Sequence, residues 1–288
     1  MHLLYPFAKR FIAGEDLPTA MRSINTLCGQ GYWSTIDILG EHVHLPEQAD
    51  AAKRAYLDLL QEANRMGHRM DFSVKLTQMG LDIDPEFCKR NVEEILQSAG
   101  NHTVRFDIEG SEHTQRIISM CVDLHEKYPN LGQALQAYLF RTGSDVENMI
   151  QRRVSVRLCK GAYKEPPSIA WQDMDDIRAN FLQQAFRLLK EGHEPSIATH
   201  DEFLLTEILS FVEKEKIDPQ SFYFEMLYGI RRDLQGLLRD KGYRMRIYVP
   251  YGKSWLPYTL RRLVEKKENI LFVLRHLFRE TVGLRRLN

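Results

Sequence analysis

The chain has 288 residues, long for an average domain but ordinary for one α/β barrel of about 250 residues. Lys plus Arg and Asp plus Glu balance at 39 each, with 43% hydrophobic and 27% charged residues. No global field therefore draws the protein toward nucleic acid or an anionic membrane, and any anion it handles must be held by local charge.

In chain order, Met1 to Phe11 lacks the long apolar core of a secretory signal. Short β-like runs then alternate with longer helical stretches. Ser34–Leu39 is the first expected strand, and Pro46–Arg65 reads as a helix. Asp71–Leu76 is the second strand. The helix predicted after it, Pro85–Ser98, carries Phe87, Val92, Ile95 and Leu96 along roughly one apolar stripe. Pro85 after Asp84 suits a helix start, because the first helical position has no N–H bond to lose. Thr103–Ile108 precedes a helix over Glu112–Lys127; Leu135–Leu139 and Val154–Cys159 are the fourth and fifth strands. Helix Asp175–Lys190, strand Pro195–Thr199, helix Asp201–Glu215 and strands Phe222–Met226 and Met245–Val249 complete the pattern.

Eight strands alternating with helices imply a parallel sheet closed on itself, a (β/α)₈ barrel, with a doubly wound open sheet as runner-up. No Ser/Gly-rich linker divides the sequence, so residues 1–288 read as one domain. The longest apolar runs, such as Ile270 to Leu274, are too short to span a bilayer, which leaves at most a peripheral membrane contact. Cys28, Cys88, Cys121 and Cys159 form no CxxC pair and have no histidine partner at zinc spacing, and a reducing cytosol is the expected setting.

In a parallel barrel the chemistry gathers where the strands end. Polar residues stand in or just after the apolar runs: Lys75, Asp107, Gln136, Arg157 with Lys160, Thr199 with His200, Glu225, and Tyr248. Any one alone reads as a solvated side chain. Together, at the same end of successive strands, they describe the polar floor of a pocket. In Arg157-Leu158-Cys159-Lys160-Gly161-Ala162-Tyr163, Arg157 and Cys159 share one strand face, and Gly161 and Ala162 are small enough to let a bulky ligand approach. There is no intact GxGxxG or GxxxxGK[ST] loop, which removes support for nicotinamide-Rossmann and P-loop readings. Tyr258, Arg261, Arg262 and Glu265 stand at i, i+3, i+4 and i+7, one stripe of a helix. Paired guanidinium forks suit a small carboxylate, while a solvated charged face is the bland alternative.

The segments "SVKLTQMGLD", "VRFDIEGS", "LQAYLFRT", "VRLCKGAYKEP", "ATHD", "FEMLYGIR" and "RIYVPYGKSWLPYTLRRLVE" resemble the proline dehydrogenase family, in its short monofunctional bacterial members, over nearly the whole chain from about Phe11. The dehydrogenase domain of the bifunctional proline utilisation A proteins is also similar, and 288 residues are expected to leave no room for their aldehyde dehydrogenase domain. The resemblance implies a distorted (β/α)₈ barrel with non-covalent FAD across the C-terminal rim and the last helix closing over it. L-proline would pass a hydride to flavin N5, giving Δ¹-pyrroline-5-carboxylate, the first step of proline catabolism.

By the same resemblance, Lys75, Asp107, Arg157 and Tyr248 would form the catalytic set. Arg261 and Arg262 would grip the proline carboxylate, Glu265 would orient them, Tyr248 and Tyr258 would pack the ring, and Leu227 and Lys75 would line the substrate site. Gln136, Arg157, Lys160, Gly161, Ala162, Tyr163, Thr199, His200 and Glu225 would hold the cofactor. Two positions depart from the family pattern: Cys159 stands where valine is expected and Glu225 where glutamine is expected. A quinone-type acceptor, at the inner face of the bacterial membrane, and a next-step pyrroline-5-carboxylate dehydrogenase are the implied partners; nucleic acid is not. A hydroxyproline dehydrogenase, another FAD barrel such as methylenetetrahydrofolate reductase, and a non-catalytic binder of the same fold are the alternatives.

Overall fold

Eight parallel strands close into a barrel in the computed structural model of the chain, which describes residues 8–264. They are β1 (Trp33–Ile38), β2 (Asp71–Val74), β3 (Thr103–Phe106), β4 (Leu131–Gln136), β5 (Val156–Cys159), β6 (Ser196–Ala198), β7 (Tyr223–Leu227) and β8 (Arg244–Tyr251). Each pairs with the next, and β1 closes on β8 over the register Trp33↔Arg246 to Ile38↔Tyr251. The helices are α1 (Leu17–Gly29), α2 (Pro46–Met66), α3 (Pro85–Ser98), α4 (Ser111–His125), α5 (Thr142–Gln151), α6 (Met174–Glu191), α7 (Glu202–Glu215), α8 (Arg232–Asp240) and α9 (Trp255–Val264). This is the closed alternative, not the open sheet.

The two faces of each strand divide the work. Phe72, Val74, Val104 and Phe106 are fully buried in the apolar layer between barrel and helices. Asp71, Ser73, Arg105 and Asp107, on the alternate positions, meet one another and Arg157 inside the barrel. Helix α3 shows why the helices sit where they do. Asp84 is its N-cap and accepts from Phe87 N at 2.6 Å, Pro85 occupies the first turn, and Val92, Ile95 and Leu96 are buried against the strands.

The fourth strand begins four residues earlier than expected, at Leu131. Gly132 disguises it as a turn, yet this glycine makes room for Arg105: a Cβ there would lie 2.8 Å from Arg105 Nη1 and 2.7 Å from Ser155 O. Past Gln136 the chain enters a turn: Ala137 N and Tyr138 N still donate to Cys159 O and Lys160 O at 2.8 and 2.9 Å, and Leu139 makes an isolated bridge to Ala170. Helices α1, α5 and α8 were not expected; Gly143 with Ser144, and Gly236 within a nine-residue element, lower the helical signal locally.

Helix α1 packs outside β1 and β8. Helix α9, following β8, lies at the mouth of the barrel: Ser254, Pro257 and Tyr258 line the cavity there, and Trp255 and Tyr258 pack with Phe11, Ile12 and Leu39. Among the described residues, no helix is long and apolar enough to cross a membrane.

Candidate active site

A cavity of about 1250 Å³ opens at the C-terminal ends of the strands. That is larger than the roughly 300–1,000 Å³ usual for a small-molecule pocket. Lys75 and Asp107, the residues directly after β2 and β3, form its floor with Arg157 of β5 and Tyr248 of β8. Gln136, Thr199, His200 and Glu225 line one side, Lys160, Gly161, Ala162 and Tyr163 another, and Leu227 and Tyr258 face it near the rim. Strand alternation would turn Lys160 outward with Leu158, but the chain leaves the sheet after Cys159 and Lys160 reaches the cavity.

The floor is a continuous network of charge. Lys75 Nζ donates to Asp37 Oδ1 at 2.6 Å and lies 3.3 Å from Asp107 Oδ2. Arg157 Nη1 donates to Asp107 Oδ1 and to Ser73 Oγ, both at 2.8 Å, and Ser73 Oγ donates to the same Asp107 oxygen at 2.8 Å. Tyr248 OH donates to Asp107 Oδ2 at 2.9 Å, and its ring lies 5.1 Å from the Arg157 guanidinium carbon. The other edge of Arg157 faces Glu225, with Nε 3.0 Å from Oε1.

Beneath this layer, Asp71 Oδ2 accepts from Arg105 at 2.8 and 3.1 Å and lies 3.1 Å from Arg246 Nη1. Four carboxylates (Asp37, Asp71, Asp107, Glu225) thus face four cations (Lys75, Arg105, Arg157, Arg246), all nine-tenths or more buried. A single isolated charge here would cost several kcal/mol, and the balance offsets that cost.

These contacts fix protonation states. Burial opposes the Lys75 ammonium, but the Asp37 carboxylate, with Tyr248 and Asp107, outweighs it and holds the pKa well above its ordinary value. Burial likewise opposes the Asp107 anion, yet Lys75 and Arg157 hold its carboxyl below the ordinary range. Burial pushes the Asp37 carboxyl up, but a neutral Asp37 would leave Lys75 with Asp107 alone, so the ion pair at 2.6 Å is the state the geometry favours. Tyr248 stays a phenol, raised first by burial and then by Asp107. The site therefore presents fixed charge and offers no strong base.

The cavity walls suit a large planar ligand. Gln136 Oε1 is buried without a hydrogen-bond partner among the described residues, and its amide nitrogen makes only a 3.4 Å contact to Ile108 O. Such an orphaned acceptor fits an N–H edge of a heterocycle. His200 Nε2 accepts from Leu227 N at 2.9 Å. Lys160 Nζ shares Asp201 Oδ2 with Arg178, each at 3.0 Å. Gly161 differs from its expected part: a Cβ there would sit 2.3 Å from Tyr138 Cδ1, so its smallness already accommodates this ring. Burial pushes the Cys159 thiol up to about 12, so it remains a neutral wall group.

Sequence reasoning missed Asp37 and Ser73, which complete the floor, and Asp71, Arg105 and Arg246 beneath it. The visible signal for Asp37 is an acid in the apolar run of β1. Arg261 and Arg262 fall on α9, but their side chains, like Glu265 as a whole, lie outside the described residues.

A family model described as proline dehydrogenase matches residues 20–275. Proline dehydrogenase 1 of Bacillus subtilis (strain 168) is 32% identical over 275 residues, covering 95% of this chain and 91% of that protein. The proline dehydrogenase of Deinococcus radiodurans is 31% identical over 288 residues, covering 96% and 91%. Among solved structures, proline utilization A (PutA) from Bdellovibrio bacteriovorus superposes with a TM-score of 0.85 at 23% identity, over 91% of this chain and 33% of that one, a likeness of fold.

Proposed function

The chain belongs to the proline dehydrogenase family, and from that premise we propose that it oxidises L-proline to Δ¹-pyrroline-5-carboxylate with FAD as resident cofactor. The observation that carries this reading is the floor of the cavity: every ionisable group there is locked by a partner, so the site supplies position and electrostatics rather than proton abstraction. Proline's Cδ–H is not acidic, and such a site suits loss of hydride from a neutral amine. When bound, FAD supplies the two-electron acceptor, taking that hydride at N5.

In this reading Arg157, pinned by Asp107, Ser73 and Glu225, stands as a fixed cation beside the reacting atoms. Lys75 and Asp107 lie under the substrate, and Tyr248, Tyr258 and Leu227 pack its ring. Arg261 and Arg262 grip the carboxylate, with Glu265 orienting them. Gln136, Thr199, His200 and the Lys160–Tyr163 segment hold the cofactor. Glu225 lines the same cavity, with Oε2 accepting from Ser196 Oγ at 2.5 Å and Oε1 in ion-pair range of Arg157, so it both faces the cofactor and holds Arg157. Residues 1–288 act as one catalytic domain. The enzyme works in the cytoplasm and passes its electrons to a quinone at the inner membrane face. Its product goes to a pyrroline-5-carboxylate dehydrogenase.

Anaerobic titration with L-proline, followed by flavin absorbance, tests the proposal. Bleaching by L-proline but not by NADH is expected. A bound flavin that stays oxidised under proline but responds to hydroxyproline or NADH would replace the substrate, and protein that takes up no flavin would refute the cofactor.

A further inference from the structure

We propose that His42, Asp82 and His113 form a binding site for a borderline divalent transition-metal ion of the Co²⁺, Ni²⁺, Cu²⁺ or Zn²⁺ class, beside the cavity mouth and separate from the redox site. The three residues come from different connections. His42 follows β1, Asp82 lies between β2 and α3, and His113 is in the first turn of α4. One ligand atom from each lies within 4.8 Å of the other two. Two imidazole nitrogens and one carboxylate oxygen are the donors of a three-ligand site with an open position for water, and they disfavour Mg²⁺ and Ca²⁺, which prefer all-oxygen shells.

In a tetrahedral shell, ligand atoms about 2.0–2.2 Å from one metal stand roughly 3.3–3.6 Å apart. The three ligand atoms lie within 4.8 Å of one another, so modest side-chain adjustment reaches that spacing. Asp82 Oδ2 is 2.9 Å from His113 Nε2, a separation that opens when the metal replaces the shared proton, and the exposed His42 side chain closes from outside.

Features around the ligands go beyond chance proximity. His113 is 5% exposed, yet its Nδ1 is buried without a hydrogen bond, 3.4 Å from Glu112 Oε1. A carboxylate behind the second ring nitrogen is the usual support of a metal-bound histidine. The connections are also tied together beneath the ligands. His42 N donates to Thr77 Oγ1 at 3.0 Å, Thr77 N donates to Glu109 Oε1 at 3.1 Å, and Thr77 Oγ1 donates to Glu109 Oε2. Thr77 and Glu109 are fully buried. His42 itself is held at φ +52°, a left-handed conformation that a non-glycine residue adopts at a cost.

One group opposes the ion: Arg116 Nη2 donates to Asp82 Oδ1 at 2.8 Å, leaving Oδ2 for the metal. Because Gly40 and Glu41 line the cavity immediately before His42, an ion here would pin the β1 connection at the cavity edge.

The test is titration of flavin-loaded, chelator-treated protein, prepared without a polyhistidine tag, using Zn²⁺ by calorimetry and Co²⁺ by its visible d–d absorption. One saturable equivalent is expected, with a tetrahedral or five-coordinate Co²⁺ spectrum. His42→Ala, on an exposed side chain, should weaken binding at least tenfold, and Glu112→Gln by a comparable factor. Arg116→Gln should tighten it, since it removes a competing cation; a purely structural Arg116–Asp82–His113 cluster would show no such gain. Absence of saturable binding, unchanged affinity in His42→Ala, or weaker binding in Arg116→Gln would each overturn the site. None of these outcomes depends on proline oxidation.

Discussion

Replacing Asp107 by alanine removes the residue on which the cavity floor converges. Its oxygens receive Arg157 and Ser73 at 2.8 Å and Tyr248 at 2.9 Å, with Lys75 at 3.3 Å. Leaving a buried charge without its partner costs about 3–5 kcal/mol. Here Lys75 keeps Asp37 at 2.6 Å and Arg157 keeps Glu225 at 3.0 Å, which places the expected loss near the lower end, about 3 kcal/mol. Tyr248→Phe removes one hydrogen bond to a charged acceptor, worth about 1.5 kcal/mol or somewhat more. In the Asp107→Ala background that phenol has already lost its acceptor, so the second change should cost almost nothing. The double-mutant cycle therefore predicts a coupling of about 1.5 kcal/mol. Urea denaturation of all four proteins at one fixed flavin concentration measures it, since bound cofactor also stabilises the folded state. Additivity to within about 0.5 kcal/mol would refute the claim that Tyr248 acts through Asp107.

The remaining expectations probe neighbouring features. The Asp107 carboxyl is opposed by burial but held below its ordinary 3.8 by Lys75 and Arg157. Its stabilisation is thus complete above 3.8 and lost as pH falls through the folded value, so Asp107→Asn should show a shallower acid decline of stability than the parent below that pH; equal slopes would contradict the pairing. Gly161→Ala meets both φ +124° and a ring atom 2.3 Å away, so a loss of about 2 kcal/mol or more is expected, with partial recovery when Tyr138→Ala is added. Denaturation midpoints decide between that and mere tolerance. Arg261→Met and Arg262→Met should raise KM steeply, at about 2–5 kcal/mol of transition-state binding; steady-state kinetics with an unchanged kcat/KM would remove the carboxylate clamp.

The barrel was legible because its signals are local and repeated. Apolar runs such as Asp71–Leu76 and Thr103–Ile108 alternate with capped helices, and Asp84–Pro85 marks the start of α3 to the residue. The failures are places where a distant side chain sets the local choice. Gly132 looks like punctuation until Arg105, 27 positions back and one strand away, is seen to need the space. Helix α5 starts on Thr142-Gly143-Ser144, a turn-like tripeptide, and is held by a bidentate Arg141–Asp145 pair at 2.7 and 2.9 Å.

The candidate site divides along the same line. Lys75, Asp107, Arg157, Glu225 and Tyr248 stand out as a set, polar residues in or just after successive apolar runs, although Asp37 in β1 carries the same signal and escaped that reading. What each pairs with does not stand out. Lys75 meets Asp37 from 38 positions away, Arg157 meets Asp107 from 50 and Ser73 from 84, and Tyr248 reaches Asp107 across 141. Those pairings exist only after the sheet closes, and closure changes what the residues can do. In isolation, Lys75 and Asp107 read as solvated charges at strand ends. Once joined, the lysine is held as an ammonium and the aspartate as a carboxylate, and neither remains free to move a proton. The lower layer of Asp71, Arg105 and Arg246 extends the constraint, because Arg157 Nη2 also lies 3.7 Å from Asp71 Oδ1. A guanidinium braced by Asp71, Asp107 and Glu225 cannot swing to follow a ligand. It stands ready at one place, which is what stabilising newly arrived negative charge requires.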